Sequence, residues 1–163
     1  MRAKTLDRSA GDRLALRELI DAYHAAVNMR DLDQLAALFT ADAIWEAMPP
    51  VGLRFEGRAA IRDGLRGTIG KQEMLVQSSS GVHIETLGDD EALIRSTMIE
   101  LGREVEGGRG WCAVAFYLDR AVRDEEPRAW RFARRTLHLR YMQQLSVAGE
   151  VFAVPPPRQA IRE

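Results

Sequence analysis

Apolar residues first recur at helical spacing. Leu16, Leu19, Ile20, Tyr23 and Val27 fall on one face, and Arg17, Asp21 and His24 fall on another. Asp12 is placed to cap this helix, and Asn28 to Arg30 reads as its exit. Asp31 caps a second helix, with Gln34 in the capping-box position and Leu35, Leu38 and Phe39 on its buried side. Ala43 to Met48 reads as a strand broken by Pro49, Pro50 and Gly52. Gly57 introduces a third helix with Ile61, Leu65 and Ile69 inward. Gly64, Gly67 and Gly70 weaken it by about 1 kcal/mol per interior glycine.

Beyond Lys71 the pattern turns to strands. Gln72 to Leu87 ends at the turn Gly88-Asp89-Asp90, and Ala92 to Val105 ends at Gly107-Gly108. Trp111 to Val122 alternates and ends in the polar turn Arg123 to Pro127. Trp130 to Val147 completes an antiparallel meander. Its alternation places Trp130, Phe132, Arg134, Thr136 and His138 on one face, expected to be the interior. Helices first and strands after predict an α+β domain with helices packed on one sheet face. From Ala148 onward, Pro155, Pro156 and Pro157 favour an extended tail.

Composition narrows the function. At 163 residues, 46% hydrophobic and 29% charged, the chain fits one domain with a real core. Its 23 basic and 24 acidic residues leave a net charge of -1, so no nucleic-acid partner is expected. No apolar run approaches the roughly 18 residues of a membrane span, and the opening MRAKTLDRSAGD has no leader-like core. No membrane partner and a cytoplasmic location follow as expectations. The single cysteine, Cys112, excludes a disulfide framework and reads as a small core residue. His24, His83 and His138 are scattered without metal-ligand spacing, so neither metal nor other cofactor is expected. Gly107-Gly108-Arg109-Gly110 follows a strand but opens no helix, which makes it a hairpin rather than a phosphate cradle.

The segment YHAAVNMRDLDQLAALFTADAIWEAMPPVGLRFEGRAAI, Tyr23 to Ile61, resembles the front half of nuclear transport factor 2-like domains, in particular their SnoaL-like and ketosteroid isomerase branches. The later GDDEA turn and WRF strand start fit as well. The resemblance implies a cystatin-like cone, with three N-terminal helices packed on a curved, mainly antiparallel sheet around an apolar pocket. It implies a homodimer or higher homo-oligomer. Residues 12–147 form the domain, 1–11 an extension and 148–163 a tail.

The same resemblance locates candidate chemistry. Tyr23 matches the oxyanion-donor tyrosine of the ketosteroid isomerase branch. The base position of that branch falls on Ala47, with Glu46 on the other strand face, and its later aspartate falls near Val114. In the scytalone dehydratase branch the helix-one acid corresponds to Asn28, and the histidine falls near Gln77. Neither can carry a proton, so His138 is the remaining proton carrier, beside Tyr23 as the second catalytic candidate. Asn28, Trp45, Gln77, His83, Trp111, Phe116 and Arg134 are candidate ligand contacts, and Met48, Met74, Met98 and Met142 candidate adaptable lining. His24 is expected to face solvent or a subunit contact. Glu46 and Glu100 read as the only acids inside apolar strand stretches, at an edge or paired with arginine. The resulting expectation is a metal-independent dehydratase, isomerase or cyclase acting by acid/base chemistry on a small apolar or aromatic ring compound. The alternative is a non-catalytic ligand-binding or assembly subunit, similar to the small subunit of aromatic-ring hydroxylating dioxygenases.

Overall fold

The computed structural model describes residues 2–124 and 129–154, residues 2–8 by their backbone only. The centre of the polar turn before Trp130 and the proline run of the tail lie outside the described residues. Three helices, α1 (Arg2–Asn28), α2 (Leu32–Ala37) and α3 (Arg58–Ile69), accompany six strands. These are β1 (Phe39–Ala47), β2 (Leu53–Glu56), β3 (Gln72–Leu87), β4 (Glu91–Glu104), β5 (Gly110–Arg123) and β6 (Trp130–Leu145). They form one sheet in the order β2-β1-β6-β5-β4-β3. Every pairing is antiparallel except β1 with β6. This is the expected α+β cone, with helices on one face of a curved, open sheet.

Local chemistry explains most boundaries. Asp31 caps α2, its Oδ1 accepting the Gln34 backbone N–H at 2.9 Å. Gly57 turns the chain into α3 at φ 86°, where a side chain would be strained. Gly64 is tolerated inside that helix because a Cβ there would come within 2.4 Å of the Phe55 ring. Two expectations change. Helix α1 begins ahead of Asp12, whose carboxylate instead accepts from Arg123 at 2.6 Å and the Trp130 indole at 3.3 Å. Strand β2 was not foreseen, because four residues are too few to show alternation.

One irregularity in β6 decides which side chains reach the interior. Arg120 pairs with Arg134, and Ala121 pairs with Phe132, leaving Ala133 as an extra residue. A bulge of this kind exchanges the two faces of the strand beyond it. Trp130 and Phe132 point inward, but so do Arg135, Leu137 and the half-buried Leu139. Arg134, Thr136 and His138 therefore share the outer face, a correction to the strict alternation expected from the sequence.

The core packs Leu16, Ile20, Tyr23 and Val27 of α1 against Ile61 and Leu65 of α3 and the inner face of the sheet. A buried arginine–carboxyl pair sits within it: Arg135 is 0% exposed and its Nη1 donates to Asp119 Oδ2 at 2.8 Å.

Candidate functional site

A cavity of about 290 Å³ opens between α1, α3 and the concave sheet. Its walls are largely apolar, with Val27, Leu65, Met98, Leu137 and Met142 among them. Its polar character comes from two clusters.

The first cluster is built around Tyr23. Its position on the inward stripe of α1 buries it to 1% exposure. Trp45 Nε1 donates to its hydroxyl at 3.0 Å. The Tyr117 hydroxyl is its other hydrogen-bond partner. A phenol accepts through two lone pairs and donates once. Accepting from Trp45 leaves the Tyr23 O–H able to donate, and the residue lines the cavity. The Arg135 guanidinium lies 4.1 Å from the Tyr23 ring centre, 3.7 Å from Tyr117 and 4.6 Å from Phe132. Burial pushes both phenols above their ordinary pKa, and the Arg135 charge pulls each back down. Asp119, across from Arg135, is pushed up to about 7 by burial against the same pull.

The second cluster ends in Glu100, on β4. Gln77 Nε2 donates to Glu100 Oε2 at 2.5 Å and Trp111 Nε1 donates to Oε1 at 3.0 Å. Two N–H donors aimed at one carboxyl group suit its ionised form. Gln77 is itself held at three points. Asn28 Nδ2 donates to its carbonyl at 2.8 Å, its backbone N–H donates to Asn28 Oδ1 at 2.7 Å, and its Oε1 lies 3.3 Å from His24 Nδ1. The last contact places the proton of neutral His24 on Nδ1. Burial, then the Arg135 charge, push the His24 pKa down to about 3. Gly102 lets the Trp111 indole lie across β4, since a Cβ there would come within 2.1 Å of the ring.

The structure thus brings together Tyr23, Trp45, Gln77 and Trp111 on the cavity wall. Asn28 stands behind Gln77 and fixes its backbone rather than facing the cavity. His83, Phe116, Arg134 and His138 do not line it. His83 is exposed on β3. Phe116 is opposite in parity to Trp111 on uninterrupted β5, so the two cannot share a face. Arg134 sits outside, bonded to Glu46 at 2.9 Å through Nε. His138 pairs with Phe116 on that outer face. Cys112 is half-buried on the outer parity of β5 rather than in the core. Met98 and Met142 line the cavity, whereas Met48 and Met74 do not.

The acids separate in the same way. Glu46 faces out, held by Arg54, Arg134 and Thr136. Burial raises its pKa, but these bonds outweigh that and bring it below the usual carboxylate range. Ala47 does face the cavity, without a carboxylate to offer. Glu100 supplies one from a different strand and is paired with an amide and an indole, not with arginine. His24, expected at the surface, is 5% exposed because the curved sheet covers more than one stripe of α1. The inward parity of β5 beside Trp111 also marks Tyr117 and Asp119, whereas the bulge hides Arg135 from any reading of alternation. Among the described residues, no three His, Cys, Asp or Glu side chains converge as metal ligands. No helix among the described residues is long and apolar enough to cross a membrane.

Comparison with known proteins agrees with this architecture. A family model described as a SnoaL-like domain matches residues 8–136. The structure of LinA superposes with a TM-score of 0.77 at 25% identity, over 93% of this chain and 99% of that one. The hexachlorocyclohexane dehydrochlorinase LinA-type3 from Novosphingobium barchaimii LL02 gives 0.78 at 21% identity, over 91% and 99%. A candidate scytalone dehydratase from Novosphingobium aromaticivorans gives 0.77 at 24% identity, over 95% and 99%. Among curated sequences, the ECF RNA polymerase sigma factor SigG of Mycobacterium tuberculosis is 42% identical over 64 residues. That match takes in 36% of this chain and spans only 17% of the sigma factor.

Proposed function

Because the chain belongs to the SnoaL-like domain family, we propose that it is a lyase or isomerase of small ring compounds, working by acid/base chemistry within this cavity. One observation carries the reading: a phenol and a carboxylate with free lone pairs line the same apolar cavity. Tyr23 donates to an oxygen or leaving group of the ligand, and Trp45 and Tyr117 stabilise the charge that develops on it. Glu100 takes a proton from a ring C–H. The C–H electron pair then becomes a C=C bond, either expelling the leaving group or shifting an existing double bond. Asn28 and Gln77 set the orientation of Glu100. His138 has no part in this scheme, since it faces away from the cavity.

Incubation with a panel of cyclic ketones, hydroxy-ketones and halogenated rings in deuterium oxide tests this. Loss of a C–H signal, or deuterium incorporation, reports proton abstraction whatever the product. Glu100→Gln should lower the rate at least about 100-fold. An unchanged rate would remove Glu100 from the chemistry.

A second observation favours self-association. Val76, Ile99, Phe116, Leu118 and Tyr141 are exposed large apolar side chains on the outer face of β3 to β6. Such a contiguous face is uncommon on a monomer. It suits packing against a second copy, so light scattering should find a dimer at micromolar concentration and Phe116→Glu should dissociate it. A wild-type monomer would count against this reading.

A further inference from the structure

Polar groups lining the cavity carry one sign of charge. Glu100 and Glu104 are on its wall, and among the described residues no lysine, arginine or histidine is. The two acids differ in what compensates them. Glu104 bonds to Arg109 at 3.0 Å. Glu100 has only the amide of Gln77 and the indole of Trp111, both uncharged.

Four arginines of the surrounding elements are engaged elsewhere. Arg30 donates to the carbonyls of Ile69, Gln72 and Glu73. Arg103 bonds to Glu73 at 2.9 Å and to the carbonyls of Val147 and Gly149. Arg135 is shielded by the rings of Tyr23 and Tyr117 and paired with Asp119. Arg134, which the sequence offered as a ligand contact, is outside on Glu46.

We infer that Glu100 makes the cavity a charge filter, admitting ring compounds that are uncharged or carry a protonated amine and turning away ring carboxylates and other anions. This rests on the reading that the cavity is the ligand site. An anion would stand close to an uncompensated carboxylate in a low-dielectric pocket, where like charges repel strongly. A protonated amine would find the reverse: an acceptor with lone pairs to spare, in a cavity that Trp45, Trp111, Tyr23 and Tyr117 also line. A neutral ring alcohol falls between, donating to Glu100 without the charge.

Three probes of matched size decide it: 2-phenylethylamine, 2-phenylethanol and phenylacetate. Each is titrated into the protein near neutral pH, following the indole N–H peaks of Trp45 and Trp111 by NMR. The amine and the alcohol should each bind at least about tenfold more tightly than phenylacetate. Glu100→Gln, with its fold checked by the same spectra, should bring phenylacetate within about threefold of the alcohol. Phenylacetate binding the wild type as tightly as the alcohol would overturn the filter and leave the proposed site standing. So would a discrimination that survives Glu100→Gln. If none of the three probes moves either indole peak, the cavity is not a site for ring ligands, and the functional reading falls with the filter.

Discussion

His24 and Asp119 bind protons with opposite consequences for stability, and the fold sets one against the other. Burial takes His24 from 6.5 down to about 3, whereas burial takes Asp119 from 3.8 up to about 7. Between about pH 4 and 6.5 the unfolded chain carries a proton on His24 and none on Asp119. The folded chain carries one on Asp119 and none on His24. The depressed His24 gives stability present above 6.5 and lost as pH falls toward 3. The raised Asp119 gives stability fully present below about 4 and lost as pH rises through about 7. Each alone imposes a slope of about 1.4 kcal/mol per pH unit, and together they cancel. His24→Phe keeps a ring against Tyr23 and Tyr117 but removes one side of the balance. Its stability, relative to wild type, should fall by about 1.4 kcal/mol for each unit of rising pH across that window. Asp119→Asn should show the opposite slope. Urea denaturation at several pH values measures both. Each variant loses absolute stability, so only the slopes matter; profiles parallel to wild type in both variants would refute the assigned protonation states.

Other consequences follow from the same geometry. Arg135→Met leaves Asp119 without its partner in the core and should cost about 3–5 kcal/mol in urea unfolding at about pH 9, where the wild-type carboxyl is ionised. The double variant Asp119→Leu with Arg135→Met should be neutral, or stabilised by about 1–4 kcal/mol, because two hydrophobic side chains avoid the desolvation of the ion pair. Gly102→Ala should push the Trp111 indole off β4, shift its N–H peak as the bond to Glu100 is lost, and cost about 1–3 kcal/mol.

The sequence spoke clearly where one local rule governs one element. The stripe Leu16, Ile20, Tyr23 and Val27, the cap at Asp31 and the bounds of β3 all followed from spacing and turn chemistry. Uninterrupted β5 was equally open to reading. Its alternation separates Phe116 from Trp111 and places Tyr117 and Asp119 inside. What could not be read was register. The extra residue at Ala133 sends His138 outward and Arg135 inward, and nothing in the local composition announces it, because bulges are fixed by pairing between distant strands. Glu100 shows a different limit. As a carboxylate in an apolar strand it was visible, but its partners are Gln77 and Trp111, and contacts between three strands exist only once the sheet is assembled.

The most direct measurement is a crystal structure of the protein grown with 2-phenylethanol or with a ring compound found to exchange in deuterium oxide. The ring should occupy the cavity, with an oxygen in hydrogen-bond reach of Tyr23 Oη or Glu100. A ring bound on the outer face beside His138 and Arg134, with the cavity empty, would contradict the account.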